Sequence, residues 1–259
     1  SPRTVLKKLV LFASLIFLFS CEQKQQDQVA SFQTIFEESD GMETATYQQT
    51  IDFYIALAKE FPEINIHTIG KTDSGYPLHM VTFNPDGDFN YENIRKEKSI
   101  ILINNGIHPG ESDGIDATMM FYRDLATGTL PSPKNTVLVT IPIYNVGGAL
   151  NRNSTSRANQ NGPLEYGFRG NARNYDLNRD FIKMDTKNAK TFAEIFHSVK
   201  PDVFVDNHVS NGADYQYTLT HLFTQHNKLG GELGSYLHET MMPSLEKSLA
   251  EKEWDITPY

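Results

Sequence analysis

The fold is decided by the stretch Ser99-Ile-Ile-Leu-Ile-Asn104, which runs directly into Asn105-Gly-Ile-His-Pro-Gly-Glu111. A short continuous apolar run bounded by polar and glycine residues is typical of a central β-strand that is buried on both faces. In α/β proteins, sites form in the loops just beyond the carboxyl ends of such strands. The sequence therefore predicts a buried strand over 99–104, with a site in the loop that follows it.

On either side of this stretch, helix-like and strand-like segments alternate along the chain. Apolar residues at helical spacing predict helices over 47–61, 115–126, 191–199 and 229–249, the last of them kinked or split at Pro243. Apolar and β-branched runs predict strands over 64–70, 77–84, 137–143, 202–206 and 215–220. This alternation predicts an α/β fold in three layers, in which a mixed, mostly parallel central sheet has helices on both faces.

The first twenty residues differ from the rest of the chain. Lys7 and Lys8 precede an apolar run over 9–19, which is typical of an export signal and too short to cross a bilayer as a helix. A buried core helix is the alternative for this run. We expect a signal peptide over 1–20, which directs the protein to the bacterial cell envelope.

Leu18-Phe19-Ser20-Cys21 resembles a bacterial lipoprotein box, in which the cysteine carries the lipid. Cys21 is the only cysteine, so it can form no internal disulfide. Ordinary secretion with cleavage nearby is the alternative. We expect a lipid anchor at Cys21, a polar tether over 21–44 and one domain over 45–259, at the outer membrane or the periplasmic face.

The charge balance bears on the partners of the protein. The chain carries a net charge of −9, and residues 1–20 contain Arg3, Lys7 and Lys8 but no acidic residue, so cleavage after residue 20 would leave −12. An acidic surface without a stripe of Lys and Arg argues against nucleic acid as a partner. We expect contact with a membrane only through the lipid anchor.

His108 and Glu111 lie three positions apart in the loop after the strand at 99–104. An imidazole nitrogen and a carboxylate oxygen at this spacing can bind one tetrahedral zinc ion, although an isolated pair of this kind also occurs by chance. His208 follows the strand predicted at 202–206 and offers a third ligand from another strand end. Three protein ligands leave the fourth zinc position open, which is typical of a catalytic site.

The segment between these ligands is rich in charged and amide side chains. It reads Phe168-Arg-Gly-Asn-Ala-Arg-Asn-Tyr-Asp176-Leu-Asn-Arg-Asp-Phe181, for which a solvated turn is the simple alternative. His108-x-x-Glu111, this segment and His208 together, in this order, resemble the M14 family of zinc carboxypeptidases. Arg169 lies nine residues before Asn178, as in the regulatory-type members of that family. The resemblance covers about residues 45–259.

The resemblance implies a zinc-dependent carboxypeptidase with one zinc ion per chain. His108, Glu111 and His208 would be the zinc ligands. Asp176 would lie behind His108 and orient it, and a carboxylate in that position fixes the tautomer of a metal-bound histidine.

The resemblance also implies three substrate-binding side chains. Arg169 would polarise the scissile carbonyl group and stabilise the oxyanion, because it brings fixed positive charge to the place where negative charge develops. Asn178 and Arg179 would bind the terminal carboxylate of a peptide substrate, since a guanidinium group offers paired donors that match a carboxylate. We therefore expect peptides with a free C-terminal carboxylate as substrates.

The sequence departs from the family pattern in three respects. Tyr144-Asn-Val-Gly-Gly148 stands where the family usually has Asn-Pro-Asp-Gly. The general-base glutamate and the substrate-capping tyrosine of the family find no counterpart after His208, and we expect both beyond Tyr259.

Two other functions stay open at this point. A zinc amidase or deacylase of the same superfamily would keep the zinc ligands and Arg169, but it would not need the carboxylate-binding pair Asn178 and Arg179. A zinc-retaining binding lipoprotein without catalysis would explain why no general base can be assigned.

Overall fold

The computed structural model of the protein describes residues 25–210 and 215–259. The chain divides into two compact units, the first ending at Val209 and the second comprising 210–259. The sequence predicted one domain over 45–259, whereas the structure divides the chain at residue 210. The predicted signal peptide and Cys21 lie outside the described residues.

The first unit is built on a five-stranded sheet. In chain order its strands are β1 (Ile64–Ile69), β2 (Leu78–Phe83), β3 (Ser99–Asn104), β4 (Thr136–Ile141) and β5 (Val203–Asp206). Their order in space is β1-β2-β4-β3-β5. Strand β2 runs antiparallel to β1 and β4, while β3 runs parallel to β4 and β5. Every strand except β2 therefore points the same way, which confirms the predicted mixed, mostly parallel sheet.

Besides a helical segment over 25–31, the helices of the first unit precede β1 or lie between the later strands. They are α1 (Ile35–Glu38), α2 (Tyr47–Glu60), α3 (Tyr91–Ile94), α4 (Asp113–Ala126), α5 (Val146–Leu150) and α6 (Lys187–Val199). Helix α2 begins at a capping box, in which Thr46 and Gln49 each bind the backbone N–H of the other. It ends before Pro62, whose ring and missing N–H oppose a further helical turn.

Helices cover both faces of the sheet, as predicted. Phe83 of β2 packs on Tyr122 of α4, with ring centroids 6.3 Å apart. Phe204 of β5 packs on Phe192 of α6, with ring centroids 5.7 Å apart. Strand pairing places Phe204 in one row across the sheet with Leu102, Val139 and Thr82, and the side chains of such a row lie on one face. Phe83 is the neighbour of Thr82 in β2, so its side chain lies on the opposite face.

The carboxyl ends of β4, β3 and β5 lie side by side. Asn104, the last residue of β3, pairs with Ile141 of β4 and with Asp206 of β5. The chain leaves β3 for β4 on one side and later returns to β5 on the other side. Such a switch in strand order opens a crevice beyond the strand ends, and the loops after all three strands begin there.

Residues that the sequence assigned to a tether pack on the first unit. The ring of Phe32 lies edge to face with Phe53 of α2, and Nη1 of Arg123 in α4 donates to Oε2 of Glu37 at 2.6 Å. The prediction of a tether over 21–44 is therefore wrong from Phe32 onward. Apolar and charged partners on α2 and α4 hold this part of the chain against the unit.

The second unit has a two-stranded parallel sheet of β6 (Leu219–His221) and β7 (Ile256–Pro258). Its helices are α7 (His226–Leu229), α8 (Gly231–Tyr236) and α9 (Met242–Ala250), with a π-helical turn over Leu237–Met241. The strand predicted over 215–220 is wrong before Leu219, where pairing with β7 begins. Pro243 lies in the first turn of α9, so the helical stretch changes type next to the proline. Among the described helices, none combines the length and apolar composition needed to cross a bilayer.

Candidate metal centre

Two histidines and one glutamate meet where β3 and β5 end. Nδ1 of His108 lies 3.1 Å from Oε1 of Glu111, and Nδ1 of His208 lies 3.0 Å from Oε2 of the same carboxylate. One potential ligand atom from each residue lies within 4.8 Å of the other two. The structure thus brings together the three residues that the sequence predicted as zinc ligands.

The loop after β3 is compact, and both of its candidate ligands are buried. The backbone N–H of Glu111 donates to the carbonyl oxygen of His108 at 2.9 Å, which turns the two side chains to one side. His108 is 2% exposed and Glu111 is 3% exposed. The side-chain amide of Asn105 donates to Thr118 of α4 and to Thr140 of β4, and so fixes the start of the loop between helix and sheet.

A carboxylate lies behind each histidine. Nε2 of His108 is 2.9 Å from Oδ1 of Asp176, and Nε2 of His208 is 3.0 Å from Oδ2 of Asp206. A carboxylate that accepts the Nε2 proton fixes the tautomer, so that each ring presents Nδ1 to Glu111. Asp176 was expected behind His108 from the sequence, and the structure adds Asp206 behind His208.

The electrostatics of the cluster keep its central carboxylate ionised. Burial alone would raise the pKa of Glu111, but hydrogen bonds with His108 and His208 outweigh burial and hold this pKa well below its usual range. Hydrogen bonds to Asp206 and then to Glu111 raise the pKa of His208 to about 9, against the effect of burial. Burial alone would also raise the pKa of Asp176, but hydrogen bonds from His108 and the guanidinium group of Arg169 outweigh burial and lower this pKa.

The hydrogen-bonding capacity of this cluster suits a cation. When Nε2–H of His108 donates a hydrogen bond to Asp176, Nδ1 of the neutral ring carries a lone pair. This lone pair faces the carboxylate of Glu111, which is also an acceptor. His208 stands in the same relation to Asp206 and Glu111. Acceptor atoms that face each other need a proton or a metal ion between them. Two imidazole nitrogens and one carboxylate form a donor set that suits zinc with one open position, so the residues fit the ion.

Asp176 also orients Arg169. Its Oδ2 accepts hydrogen bonds from Nε and Nη2 of Arg169 at 3.1 and 2.9 Å. This paired contact turns Nη1 towards the cluster, where it lies 3.4 Å from Nδ1 of His108. The side chain of Arg169 is 40% exposed, so its guanidinium group is fixed beside the candidate metal site and accessible from solvent.

The segment over 144–148, which departs from the family pattern, holds the backbone of Arg169 in place. The side-chain amide of buried Asn145 donates to the carbonyl oxygens of Arg169 and Ile107, at 2.9 and 3.3 Å. Its Oδ1 accepts from the N–H of Gly148 and caps α5. A Cβ atom at Gly148 would collide with the carbonyl oxygen of Phe168, so the glycine allows α5 to approach the segment that carries Arg169.

Asn178 and Arg179 lie in a single 3₁₀ turn over Leu177–Arg179. Oδ1 of Asp176 accepts from the backbone N–H of Asn178 at 3.0 Å and so caps this turn. Nη1 of Arg179 donates to the carbonyl oxygen of Asn178 at 2.9 Å, and its side chain is exposed. Asp176 therefore connects His108, Arg169 and the turn that carries the two predicted carboxylate-binding residues.

Most of the chain matches one known protein family. The family of zinc carboxypeptidases matches residues 50–216, which is more than half of the chain and includes every side chain of the candidate metal centre. The chain belongs to the zinc carboxypeptidase family. No curated protein sequence matches it.

Several solved structures share the fold of this zinc carboxypeptidase family member. Carboxypeptidase A from Helicoverpa armigera aligns with a TM-score of 0.55 and 13% identity, over 83% of this chain and 57% of its own. Bovine thrombin-activatable fibrinolysis inhibitor aligns with a TM-score of 0.57 and 14% identity, over 84% of this chain and 76% of its own. A metallo-carboxypeptidase from Burkholderia cenocepacia has a TM-score of 0.50 and 18% identity, over 66% of this chain and 43% of its own. The chain thus spans about two fifths of the length of that bacterial structure.

Sequence reasoning missed two residues in the site of this zinc carboxypeptidase family member. Asp206 is one, and the alternation of side chains at the end of β5 could have indicated it, because Asp206 and His208 lie two positions apart. The other is Arg157, whose Nη1 donates to Oε1 of Glu111 at 3.1 Å. It lies in an irregular segment between α5 and Arg169, where no periodic pattern points to it.

Proposed function

We propose that the protein is a zinc-dependent metallocarboxypeptidase that hydrolyses peptide bonds at the C-terminal end of peptides. Family membership supports a peptidase. The observation that carries the proposal is the convergence of His108, Glu111 and His208 on one small volume, with a carboxylate behind each histidine.

In this proposal, Nδ1 of His108, the carboxylate of Glu111 and Nδ1 of His208 hold one zinc ion. Zinc supplies a Lewis acid and lowers the pKa of water from about 15.7 to about 7, which provides a nucleophile at neutral pH. Asp176 and Asp206 keep both imidazole rings in the orientation and tautomer that binding needs.

Arg169 is proposed to stabilise the negative charge that develops on the carbonyl oxygen of the scissile bond. Asp176 already holds two of its three guanidinium nitrogens, so the third needs little reorganisation to act as a donor. Asn178 and Arg179 are proposed to bind the terminal carboxylate of the peptide. Arg179 suits this role because it is exposed and because its planar donors match a carboxylate.

We further propose that the protein is exported and anchored in the bacterial cell envelope by lipid at Cys21. The apolar run over 9–19 and the Leu18-Phe19-Ser20-Cys21 sequence support this location. Two lipid chains on one cysteine can hold a protein at a membrane without a spanning helix. Peptides in the envelope are then the available substrates, and the acidic charge disfavours nucleic acid as a partner.

The test compares two peptides that differ only at the C-terminus, one a free acid and the other an amide. The full-length protein with zinc is expected to release the last residue from the acid about 100-fold faster, because the amide loses a charge-assisted hydrogen bond to Arg179. Equal cleavage of both peptides would contradict the proposal and favour an amidase or deacylase. A zinc-loaded protein that cleaves neither would favour the binding lipoprotein.

A further inference from the structure

Arg157 contacts the carboxylate that the two histidines share. Its Nη1 donates to Oε1 of Glu111 at 3.1 Å, although the two residues are 46 positions apart in the chain. Nη1 of Arg169 lies 4.0 Å from the same oxygen. Two guanidinium groups therefore approach Oε1 of Glu111, and the function proposed above uses only Arg169.

The segment around Arg157 holds it in this position. Its Nε donates to Oε1 of Gln160 at 2.7 Å, and Nε2 of Gln160 donates to the carbonyl oxygen of Gly110 at 2.9 Å. The backbone N–H of Arg157 donates to the hydroxyl group of Tyr166 at 3.1 Å. Only 15% of the Arg157 side chain is exposed. These contacts distinguish it from a surface arginine, whose side chain is free to move in solvent.

Gly110, which lies between His108 and Glu111, leaves space for the Arg157 side chain. A Cβ atom at Gly110 would lie 2.7 Å from Cδ of Arg157 and 2.7 Å from the carbonyl oxygen of Gly167. A larger residue would therefore push Arg157 away from Glu111. The absence of a side chain at Gly110 thus allows the guanidinium group of Arg157 to reach the carboxylate of Glu111.

A cation beside a metal ligand has two opposite effects on metal binding. It orients the carboxylate, which favours binding, and its charge repels the metal ion. The orienting effect of Arg157 is small, because the Oε2 atom of Glu111 is also held by the N–H of Val209 at 3.1 Å and faces His208 at 3.0 Å. Loss of Arg157 would therefore leave the carboxylate in place.

The repulsion is the larger effect. Zinc–carboxylate bonds are about 2.0–2.2 Å long, so an ion bound to Oε1 of Glu111 would lie within about 5.3 Å of Nη1 of Arg157. At this separation, a single charge repels a divalent ion enough to weaken binding about tenfold, even at the dielectric constant of bulk water. Burial of the pair limits the screening by salt.

We propose that Arg157 acts through Glu111 as a positioning residue that weakens metal binding at the His108–Glu111–His208 site and draws charge from the Glu111 carboxylate. A zinc ion held at this site would then keep more of its positive charge for the substrate carbonyl group. This role depends on the proposed metal site. It adds to that site a residue that lowers zinc affinity and makes a bound zinc ion a stronger Lewis acid.

The test measures zinc affinity by competition with a chelating dye. Arg157→Gln is expected to bind zinc about tenfold more tightly than the wild-type protein, and Arg157→Lys, which keeps the charge, is expected to stay within about threefold of it. Arg173→Gln is the matched control, because this arginine is 53% exposed and its charged partner is Asp73. Its zinc affinity is expected to remain unchanged.

The direction of the change separates this role from a structural one. A side chain that only supports the fold would weaken zinc binding when it is removed, so a weaker or unchanged affinity in Arg157→Gln overturns the proposal. The His108→Ala variant tests the metal site itself. Stoichiometric zinc in His108→Ala contradicts the proposed metal site. If His108→Ala loses zinc and Arg157→Gln binds zinc more weakly, only the role of Arg157 is contradicted.

A second measurement concerns peptide cleavage by the full-length protein. Arg157→Gln is expected to lower kcat several-fold and to leave KM unchanged, because Arg157 acts on the metal ligand and not on the peptide. A raised KM with unchanged zinc affinity would make Arg157 a substrate contact and would overturn the proposal. Unfolding curves recorded with a chelator check that each variant is folded.

Discussion

Nε2 of His208 lies 3.0 Å from Oδ2 of Asp206, two residues earlier in the chain. The other oxygen of Asp206 accepts a hydrogen bond from the side-chain amide of Asn104 at 2.8 Å. Asn104 and Asp206 are paired residues at the ends of β3 and β5. The register of two parallel strands therefore sets the orientation of His208 towards Glu111, and this links the fold directly to the candidate metal site.

The first prediction concerns Asp206. Replacement by Asn removes the negative charge behind His208, and zinc affinity is expected to fall about 10- to 100-fold, as for other carboxylates behind metal-bound histidines. Competition with a chelating dye measures this change. Asp86→Asn is the control, because Asp86 is an exposed carboxylate paired with Lys98, and it is expected to bind zinc as the wild type does. Equal affinity in both variants would show that Asp206 does not support the site.

The central strand could be predicted from sequence to the residue. Ser99–Asn104 forms β3 as expected, because a continuous apolar run has few alternatives once glycine and polar residues bound it. His108, Glu111 and His208 could be brought together because parallel strands end at one edge. The strand expected over 215–220 begins only at Leu219, since its partner β7 is distant in the chain and invisible to a local pattern.

Two parts of the site required three-dimensional contacts. Local alternation could have pointed to Asp206, but its contact with Asn104 comes from the register between β3 and β5, which no single segment encodes. Arg157 reaches Glu111 through a segment held by Gln160 and Tyr166, and it does so only because position 110 has no side chain. Such long-range contacts have no periodic signature in the sequence.

The second prediction concerns Arg169. Arg169→Lys is expected to keep zinc but to lower kcat of the full-length protein about 100- to 1000-fold, the usual cost of losing a donor to a developing oxyanion. Lysine keeps the charge, yet it cannot bind Asp176 with two nitrogens and still present a third to the substrate. Metal analysis and steady-state kinetics on the same preparation measure both quantities. Unchanged turnover would place the oxyanion donor elsewhere.

The third prediction concerns stability and pH. Asp116 is 4% exposed, and burial raises its pKa to about 6, although a hydrogen bond from Thr44 opposes the shift. The unfolded chain ionises this group near pH 3.9, so between about pH 4 and pH 6 the native state binds more protons. The free energy of unfolding should therefore fall as pH rises through this window, by about 2–3 kcal/mol from this group.

Asp116→Asn removes that dependence. Urea unfolding at pH 4 and pH 7 is expected to show the variant gaining stability relative to the wild type as pH rises. Asp52→Asn, at an exposed position of α2, is the control and should follow the wild-type curve. If the curves of the Asp116 variant and the wild type run parallel, Asp116 is not a buried acid with a raised pKa.

The fourth prediction concerns the lipid anchor. In a bacterial host with lipoprotein processing, the full-length protein is expected in the detergent-extractable membrane fraction. Cys21→Ala should move it to the soluble envelope fraction, because no acyl chains can then be attached. Cell fractionation followed by immunoblotting measures the distribution. A variant that stays in the membrane fraction would contradict lipid attachment at Cys21.

The most direct measurement is the zinc content of the purified protein and of its His108→Ala variant. The wild type is expected to hold one zinc ion per chain, and the variant should hold almost none, because one of three protein ligands is gone. His67→Ala, at an exposed position of β1, is the control and should keep the full ion. Stoichiometric zinc in the His108→Ala variant would contradict a metal site built from His108, Glu111 and His208.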